Sequence, residues 1–245
     1  MPPHLTDGSE KPMQWDEVRI DTGYPAEELK ALVQPGDAVT FCGKIFRLPG
    51  GRFAAPALDN RCGVAALLSC VEQVCFDDLP NKVTVQFSVQ EEVGEIGARI
   101  GCYAADPDVA IAVDVSFAGD GKFSKTGVMG KGPMIGFSPS LCRDVADQLV
   151  LTANENDTPW QYEVMNGLTG TNADQFSTCR AGVKTCTVSI PIDNMHTPVE
   201  IVDLFDIFKT GRLLADYIRG KNQCLTDVFS IQKLLKMYKR RDGLC

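Results

Sequence analysis

The chain has 245 residues, of which 44% are apolar, so it is long enough to bury a large core. Its 32 acidic residues outnumber its 24 basic ones and give a net charge of −8, which argues against nucleic-acid and anionic-membrane partners, because both require clustered positive charge. No apolar run could span a bilayer, no signal peptide is recognised, and the 10 cysteines show no Cys-x-x-Cys spacing, so we predict a protein of the reducing cytoplasm.

Residues 1–52 are weakly hydrophobic and rich in turn-forming residues. Val18 and Ile20 alternate with charged residues and predict a short strand at most, while 26–33 has the length of one or two helical turns. Alternation returns over 37–46 and ends near Gly50, as in a small β-rich segment. A segment of this size and composition is not expected to fold alone.

From Phe53 onward the chain alternates between strand and helix patterns, which indicates an α/β fold. The predicted helices are 62–74, 98–105, 140–153 and 204–218, with a helical turn at 174–179. The predicted strands are 83–90, 109–113, a short one near Met134, 161–165 and 184–190. We expect the first helix to be buried through Val64, Leu67, Leu68 and Val71, and the strand at 109–113 to be buried on both faces.

The acid pair Glu91 and Glu92 directly follows the predicted strand at 83–90. Gly94 and Gly97 come next and let the backbone turn before a helix starts. In open α/β sheets, ligands collect at the carboxyl ends of the strands. Neighbouring side chains diverge there, so one carboxylate can hold a cation while the other faces a reacting water. Taken alone, two adjacent acids are more often a solvated pair before a turn.

Three further residues occupy similar positions: Asp59 before a helix, Asp114 after the strand at 109–113, and His196 after the strand at 184–190. Each has a structural explanation, as a helix N-cap, a turn residue and a buried histidine. An acid at the end of a buried strand must nevertheless be paired or coordinated. Oxygen and imidazole ligands without thiolates suit Zn²⁺, Co²⁺ or Mn²⁺ in a hydrolytic site. Two such metals, about 3.5–4 Å apart, can clamp a water and a carbonyl oxygen.

These residues lie within four successive motifs: ALDNR at 57–61, VQEEVG at 89–94, AVDVS at 112–116 and NMHTPVE at 194–200. With KGP at 131–133 and TGT at 169–171, they resemble the glutamyl and deblocking aminopeptidase family of dinuclear metallopeptidases, whose members often assemble into tetrahedral dodecamers. The resemblance runs through nearly the whole chain. It implies a mixed-sheet α/β/α sandwich of the zinc-aminopeptidase type over 53–245. It also implies a partial PDZ-like β-domain over 1–52, with a role in oligomerisation or substrate gating.

The resemblance also assigns metal ligands, for two divalent ions per subunit, Zn²⁺ or Co²⁺ with Mn²⁺ as a further candidate. Asp59 would bridge the two ions. Glu92 and His196 would complete the protein ligands of one, and Asp114 would belong to the other. Glu91 would be the catalytic general base, which takes a proton from the attacking water and passes it to the leaving amine. A cis peptide bond is expected after Asp59.

The substrate-binding loop implied by the resemblance contains Thr169, Gly170 and Thr171, which would lie near the free amino group of the substrate. The next residue is Asn172, where the family commonly has an aspartate, so one negative charge is removed.

One ligand that the family requires is not found. The second metal needs a histidine from an early His-x-Asp motif, and the histidine other than His196 is His4, which is followed by Leu5 and Thr6. The PPHL stretch at 2–5 instead resembles part of the PDZ-like domain. We therefore expect the chain to lack the first strands of the catalytic domain, a helix and one metal ligand. Missing strands expose apolar faces and open ladder edges, so exposed hydrophobic surface is also expected.

The implied function is hydrolysis of N-terminal residues from short peptides by a metal-activated water. The implied partners are peptide substrates and, if the chain is complete, further copies of itself in a homo-oligomer between a dimer and a dodecamer, with no nucleic acid and no membrane. Two alternatives stay open. The chain could be a truncated or split-gene member that is inactive by itself, or a non-catalytic module for oligomerisation or peptide binding.

Overall fold

The computed structural model describes residues 18–119 and 127–220, and the chain divides into two compact units between Phe41 and Cys42. In the first unit, the described residues form one helix, α1 (Ala26–Leu32), which buries none of its own residues. The short strand predicted at Val18 and Ile20 does not form. The PPHL stretch at 2–5 lies outside the described residues, and the PDZ-like domain over 1–52 stays a prediction.

The second unit is built on a mixed sheet whose central strand is β6 (Lys184–Asp193). Along one edge of β6, β3 (Val109–Phe117) pairs in parallel from Val109 to Phe117. Along the other edge, β6 pairs antiparallel with β4 (Met134–Phe137) and with β7 (Glu200–Asp203). Because β7 follows β6 after a short loop, the sequence that contains His196 is held at one end of the sheet.

Three further strands widen the sheet on the β4 and β7 side. β5 (Gln161–Val164) pairs in parallel with β4. β2 (Arg52–Ala55) pairs antiparallel with β7, and β1 (Phe46–Arg47) pairs antiparallel with β2. The sheet therefore includes residues before 53, which the predicted domain boundary had left outside the catalytic domain.

Helices cover both faces of this sheet and make three layers. One face carries α2 (Leu58–Val74), α4 (Arg143–Glu155) and α6 (Leu204–Arg219), which share a core with Ile135 and Val188. The other face carries α3 (Ile96–Ala105) and α5 (Asn172–Ser177), which pack on Ala112. The α/β/α fold class is thereby confirmed. Within the described ranges, no helix has the length and hydropathy needed to cross a membrane.

The buried face of α2 differs from the predicted one. Val64 and Leu68 were expected in the core but are exposed, and the buried residues are Cys62, Gly63, Ala66, Cys70 and Val74. The reason is close packing against α6, where Gly211 comes so near that a Cβ atom there would lie 2.7 Å from the Ala66 carbonyl oxygen. Small side chains permit this approach, whereas a stripe of branched residues would hold the helices apart.

The strand predicted at 83–90 is wrong: no residue of this segment joins a strand. Alternating apolar residues supply strand propensity, but a strand exists only when its backbone pairs with a neighbour. Here the Val89 carbonyl instead accepts from Gly97 N at 3.0 Å, and the Gln86 amide donates to the Gly97 carbonyl at 2.8 Å. β3 was predicted to be buried on both faces, and it is only partly buried because β6 is its one strand partner within the described ranges.

The exposed hydrophobic surface expected from the sequence is present in the second unit, and it includes Leu68, Phe76, Phe87, Val89 and Ile100. We expect the chain to bind a fluorescent hydrophobic probe more strongly than a compact monomer of similar length. A Phe87→Gln, Ile100→Gln double variant should bind less probe, because both side chains are exposed and their replacement removes apolar surface. Probe binding equal to that of an ordinary monomer would contradict this expectation.

Candidate metal centre

Asp59 lies at the start of α2, where the backbone has not yet become helical. Ala57 has a φ of 56°, Asp59 has a ψ of 105°, and the peptide bond between Asp59 and Asn60 is cis, as the resemblance implies. Ala57 precedes the helix without a side-chain cap, and the side-chain oxygen that caps the regular part of α2 is that of Asn60, which accepts from Gly63 N at 2.9 Å. The alternative interpretation of Asp59 as an N-cap is therefore wrong, and its carboxylate is free to meet groups from other elements.

The acid pair lies in a tight turn that leads into α3. Gly94 N and Glu95 N both donate to the Glu91 carbonyl oxygen, at 3.1 and 2.9 Å. Gly94 has a φ of 108°, a backbone conformation that strongly favours glycine, so this residue makes the predicted turn feasible. The turn points the Glu92 carboxylate towards Asp59 and His196.

His196 lies in the loop between β6 and β7. Its Nε2 atom is 3.1 Å from Asp59 Oδ2 and 3.6 Å from Glu92 Oε2. One ligand atom from each of the three residues lies within 4.8 Å of the others. Two carboxylates and an imidazole are donors that Zn²⁺ and similar divalent ions accept, so this donor set fits one such ion. Three parts of the sequence that lie far apart are thus brought together.

Asp114 lies close to this cluster without joining it. Its carboxylate is buried, and Oδ1 accepts from Val115 N at 2.9 Å and from the Asn60 side-chain amide at 3.1 Å. The same Asn60 amide also donates to the Val113 carbonyl at 2.8 Å. Asn60 therefore fixes Asp114 next to Asp59. Over residues 18–119 and 127–220, no group of three potential ligands includes Asp114, so a second metal stays a prediction.

The carboxylates of the site repel one another, and those of Asp59, Glu91 and Asp114 are partly or fully buried. Burial raises the pKa of Asp59 to about 6, with Glu92 adding to the shift and His196 opposing it. Burial and, after it, the charges of Glu92 and Asp59 together raise the pKa of Glu91 to about 7. The pKa of Asp114 is raised to about 8, first by burial and then by Glu91. Such a cluster of poorly compensated negative charge is an environment that a cation relieves.

Glu200 is a residue of this site to which sequence analysis gave no role. It opens β7 and is almost fully buried, with 2% of its surface exposed. Its Oε2 accepts from Asp59 N at 3.0 Å, and its Oε1 accepts from His196 N at 2.8 Å. One signal was present in the sequence: Glu200 is a lone acid between Val199 and the apolar pair Ile201 and Val202, and such an acid must be satisfied when it is buried.

The loop with Thr169, Gly170 and Thr171 is closed by Asp174. The Asp174 carboxylate accepts from Thr169 N and Gly170 N, each at 2.9 Å, while the Thr171 hydroxyl caps α5 by accepting from Ala173 N. Asn172 extends its amide to the Ser88 hydroxyl at 3.0 Å. Because Ser88 lies three residues before Glu91, this bond ties the loop to the segment that carries the acid pair.

Comparison with known proteins agrees with this architecture. The model of the M42 glutamyl aminopeptidase family matches residues 1–213. The lysyl aminopeptidase of Pyrococcus furiosus is 34% identical over 225 residues, which cover 87% of this chain and 63% of that relative. The structure of a TET aminopeptidase from the archaeon Thaumarchaeota archaeon SCGC AB-539-E09 matches with a TM-score of 0.82 at 28% identity, over 94% of this chain and 67% of that one.

A further solved structure, of the Pyrococcus horikoshii TET1 peptidase that can assemble into a tetrahedron or a large octahedral shell, matches with a TM-score of 0.74 at 32% identity, over 90% of this chain and 67% of that one. The chain spans 63% of the length of the lysyl aminopeptidase, which is less than two thirds. The family match nevertheless extends over both units and through the motifs that carry Asp59, Glu91, Asp114 and His196. The chain belongs to the M42 glutamyl aminopeptidase family.

Proposed function

We propose that this chain carries the metal-dependent site of an aminopeptidase that removes N-terminal residues from short peptides. The observation that carries the proposal is the convergence of Asp59, Glu92 and His196 on one volume, with Glu91 directly beside it. A divalent metal at this cluster would act as a Lewis acid on the attacking water and the peptide carbonyl. Zn²⁺ and Co²⁺ are the first candidates, with Mn²⁺ next.

The protein residues divide the remaining work. Asp59, Glu92 and His196 would hold the ion. If Asp114 binds a second ion, Asp59 would be a ligand of both. Glu91 is the general base: its carboxylate takes a proton from the water and gives it to the leaving amine. The loop with Thr169, Gly170 and Thr171 is closed by Asp174, and the adjacent Asn172 side chain donates to the Ser88 hydroxyl near the acid pair. This contact supports a role of the loop at the amino end of the substrate.

The partners and setting follow from the family. Short peptides are the proposed substrates. Homo-oligomerisation is proposed because the matched Pyrococcus horikoshii peptidase forms closed shells, and the role of residues 1–52 as a PDZ-like domain for assembly or gating is proposed with it. A cytoplasmic location is proposed from the composition.

A second candidate function, a family member that holds one metal and lacks activity by itself, is favoured by the position of Asp114 outside the three-residue cluster.

The test is to count bound metal after loading the chain with Zn²⁺ or Co²⁺ and to assay aminoacyl-p-nitroanilides with the same sample. We expect at least one metal per chain, lost in Asp59→Asn. Turnover that falls about 10²–10⁴-fold in Glu91→Gln supports the aminopeptidase with Glu91 as the base. An exposed acid that is not a member of the cluster, in Glu155→Gln, serves as the control. One metal without turnover would favour the inactive member, and no metal would contradict both proposals.

A further inference from the structure

Neither of the two ligands that Glu200 contacts is held by regular secondary structure. Asp59 precedes the helical part of α2, as its ψ of 105° shows. His196 lies in the loop 194–199 with a φ of 62°. The geometry of this pair therefore depends on contacts other than helix or sheet bonds. Glu200 supplies such a contact, because its two oxygens bind the main-chain N–H groups of Asp59 and His196 at the same time.

A glutamate suits this position for a chemical reason. An ionised carboxylate can accept from two N–H groups at once, and hydrogen bonds to an ionised acceptor are shorter and stronger than neutral ones. Glutamine has the same shape but keeps one acceptor oxygen and turns its NH₂ group towards the other N–H donor. Aspartate keeps the charge but is one methylene shorter, so its carboxylate is drawn back from both N–H groups.

We propose that Glu200 is a positioning residue for the metal: by holding the main chains of Asp59 and His196 together, it sets the distance between their ligand atoms and hence the affinity for a divalent ion. This inference rests on the proposed function, since it assumes that the cluster binds a metal. Glu200 does not touch the ion, and it acts through the two ligands. Groups that orient metal ligands in this way typically change metal affinity by about 10–100-fold when they are replaced.

Asp206 offers a matched control for this proposal. It is also fully buried, and its carboxylate also accepts from two backbone N–H groups, those of Gly130 and Gly132, each at 2.7 Å. Neither glycine is a member of the metal cluster. An Asp206→Asn variant therefore suffers the same chemical loss as Glu200→Gln, in the same fold, without touching a ligand. A purely structural effect would appear equally in both variants.

The experiment measures Co²⁺ affinity by competition with a chelating dye, together with the Co²⁺ absorption spectrum, for the full chain and its variants. We expect Glu200→Gln and Glu200→Asp to bind Co²⁺ about 10–100-fold more weakly than the wild type, with a changed spectrum, and Asp206→Asn to bind it with wild-type affinity. Wild-type affinity in the Glu200 variants overturns the inference, as does an equal loss in Asp206→Asn. A wild-type chain that binds no Co²⁺ overturns the proposed function itself.

Hydrogen exchange of the wild type tests the two hydrogen bonds of Glu200 without any variant, which matters if the Glu200 variants do not fold. In the metal-free chain, the amides of Asp59 and His196 should be protected, because both donate to a buried carboxylate. The amide of Thr171 donates to the hydroxyl of the half-buried Thr169, so it serves as the comparison amide whose acceptor is a neutral hydroxyl. Rapid exchange of the Asp59 amide or of the His196 amide overturns the inference, and protection of both amides supports it.

Discussion

Raising the pH from about 5 to about 8 is expected to destabilise the metal-free chain. Asp59, Glu91 and Asp114 have folded-state pKa values of about 6, 7 and 8, all above their values in an unfolded chain. The folded chain therefore binds more protons than the unfolded chain over this range, and its stability falls as these protons are lost. Each carboxyl contributes a slope of up to about 1.4 kcal/mol per pH unit while its proton is bound only in the folded state.

A bound metal should reverse this trend. The ion binds the ionised carboxylates, so its affinity and its stabilising effect rise with pH. Urea unfolding at several pH values, with chelator and with Zn²⁺, measures both curves. The isosteric variant Asp114→Asn removes the group with the highest of the three pKa values and should flatten the curve of the metal-free chain. A metal-free chain whose stability is constant or rises over this range would contradict the expectation.

Replacing Asp206 by alanine is expected to destabilise the fold by about 2–4 kcal/mol, because two backbone donors lose a charged acceptor inside the protein. Asp206 is fully buried on α6 and binds Gly130 N and Gly132 N, so it secures the turn that contains the KGP motif at 131–133. The turn has little freedom to rearrange after this loss, because its backbone packs closely on Pro159. Gly132 has a φ of 92°, and a Cβ atom there would lie 2.0 Å from the Pro159 carbonyl oxygen.

The measurement for Asp206→Ala is the free energy of unfolding in urea at constant pH, with chelator present so that metal binding does not contribute. Asp147→Ala is the control, because the ion pair between Asp147 and Arg143 is exposed and such pairs contribute less than about 1 kcal/mol. Equal losses of stability in the two variants would mean that the buried Asp206 carboxylate does not stabilise the turn that contains the KGP motif.

The helices and the two longest strands of the second unit, β3 and β6, could be predicted from the sequence, because they depend on local patterns. Alternation and helical periodicity placed the helices at 98–105, 140–153 and 204–218 within a few residues of α3, α4 and α6. The glycine-punctuated turn after Glu91 was also predictable, since a φ of 108° at Gly94 strongly favours glycine. The identity of the three clustered residues came from motifs in a resembling family.

Tertiary structure decided what depends on partners distant in the sequence. The pattern at 83–90 resembles a strand, yet no ladder forms there, because pairing requires a neighbouring backbone as well as propensity. The buried face of α2 was decided by the close approach of Gly211, which favours Ala66 over Leu68. Neither feature is visible in local sequence, since each depends on what lies opposite.

The arrangement of the site separates the two contributions most clearly. By itself, the sequence determined which residue types could bind a metal: the carboxylates of Asp59 and Glu92 and the imidazole of His196. Only the fold decided that these three meet while Asp114 remains bonded to Asn60. The fold also decided that Glu200, 141 residues after Asp59, accepts its N–H group. Local sequence sets the chemistry of each side chain, whereas the distances between side chains depend on how the sheet and its helices pack.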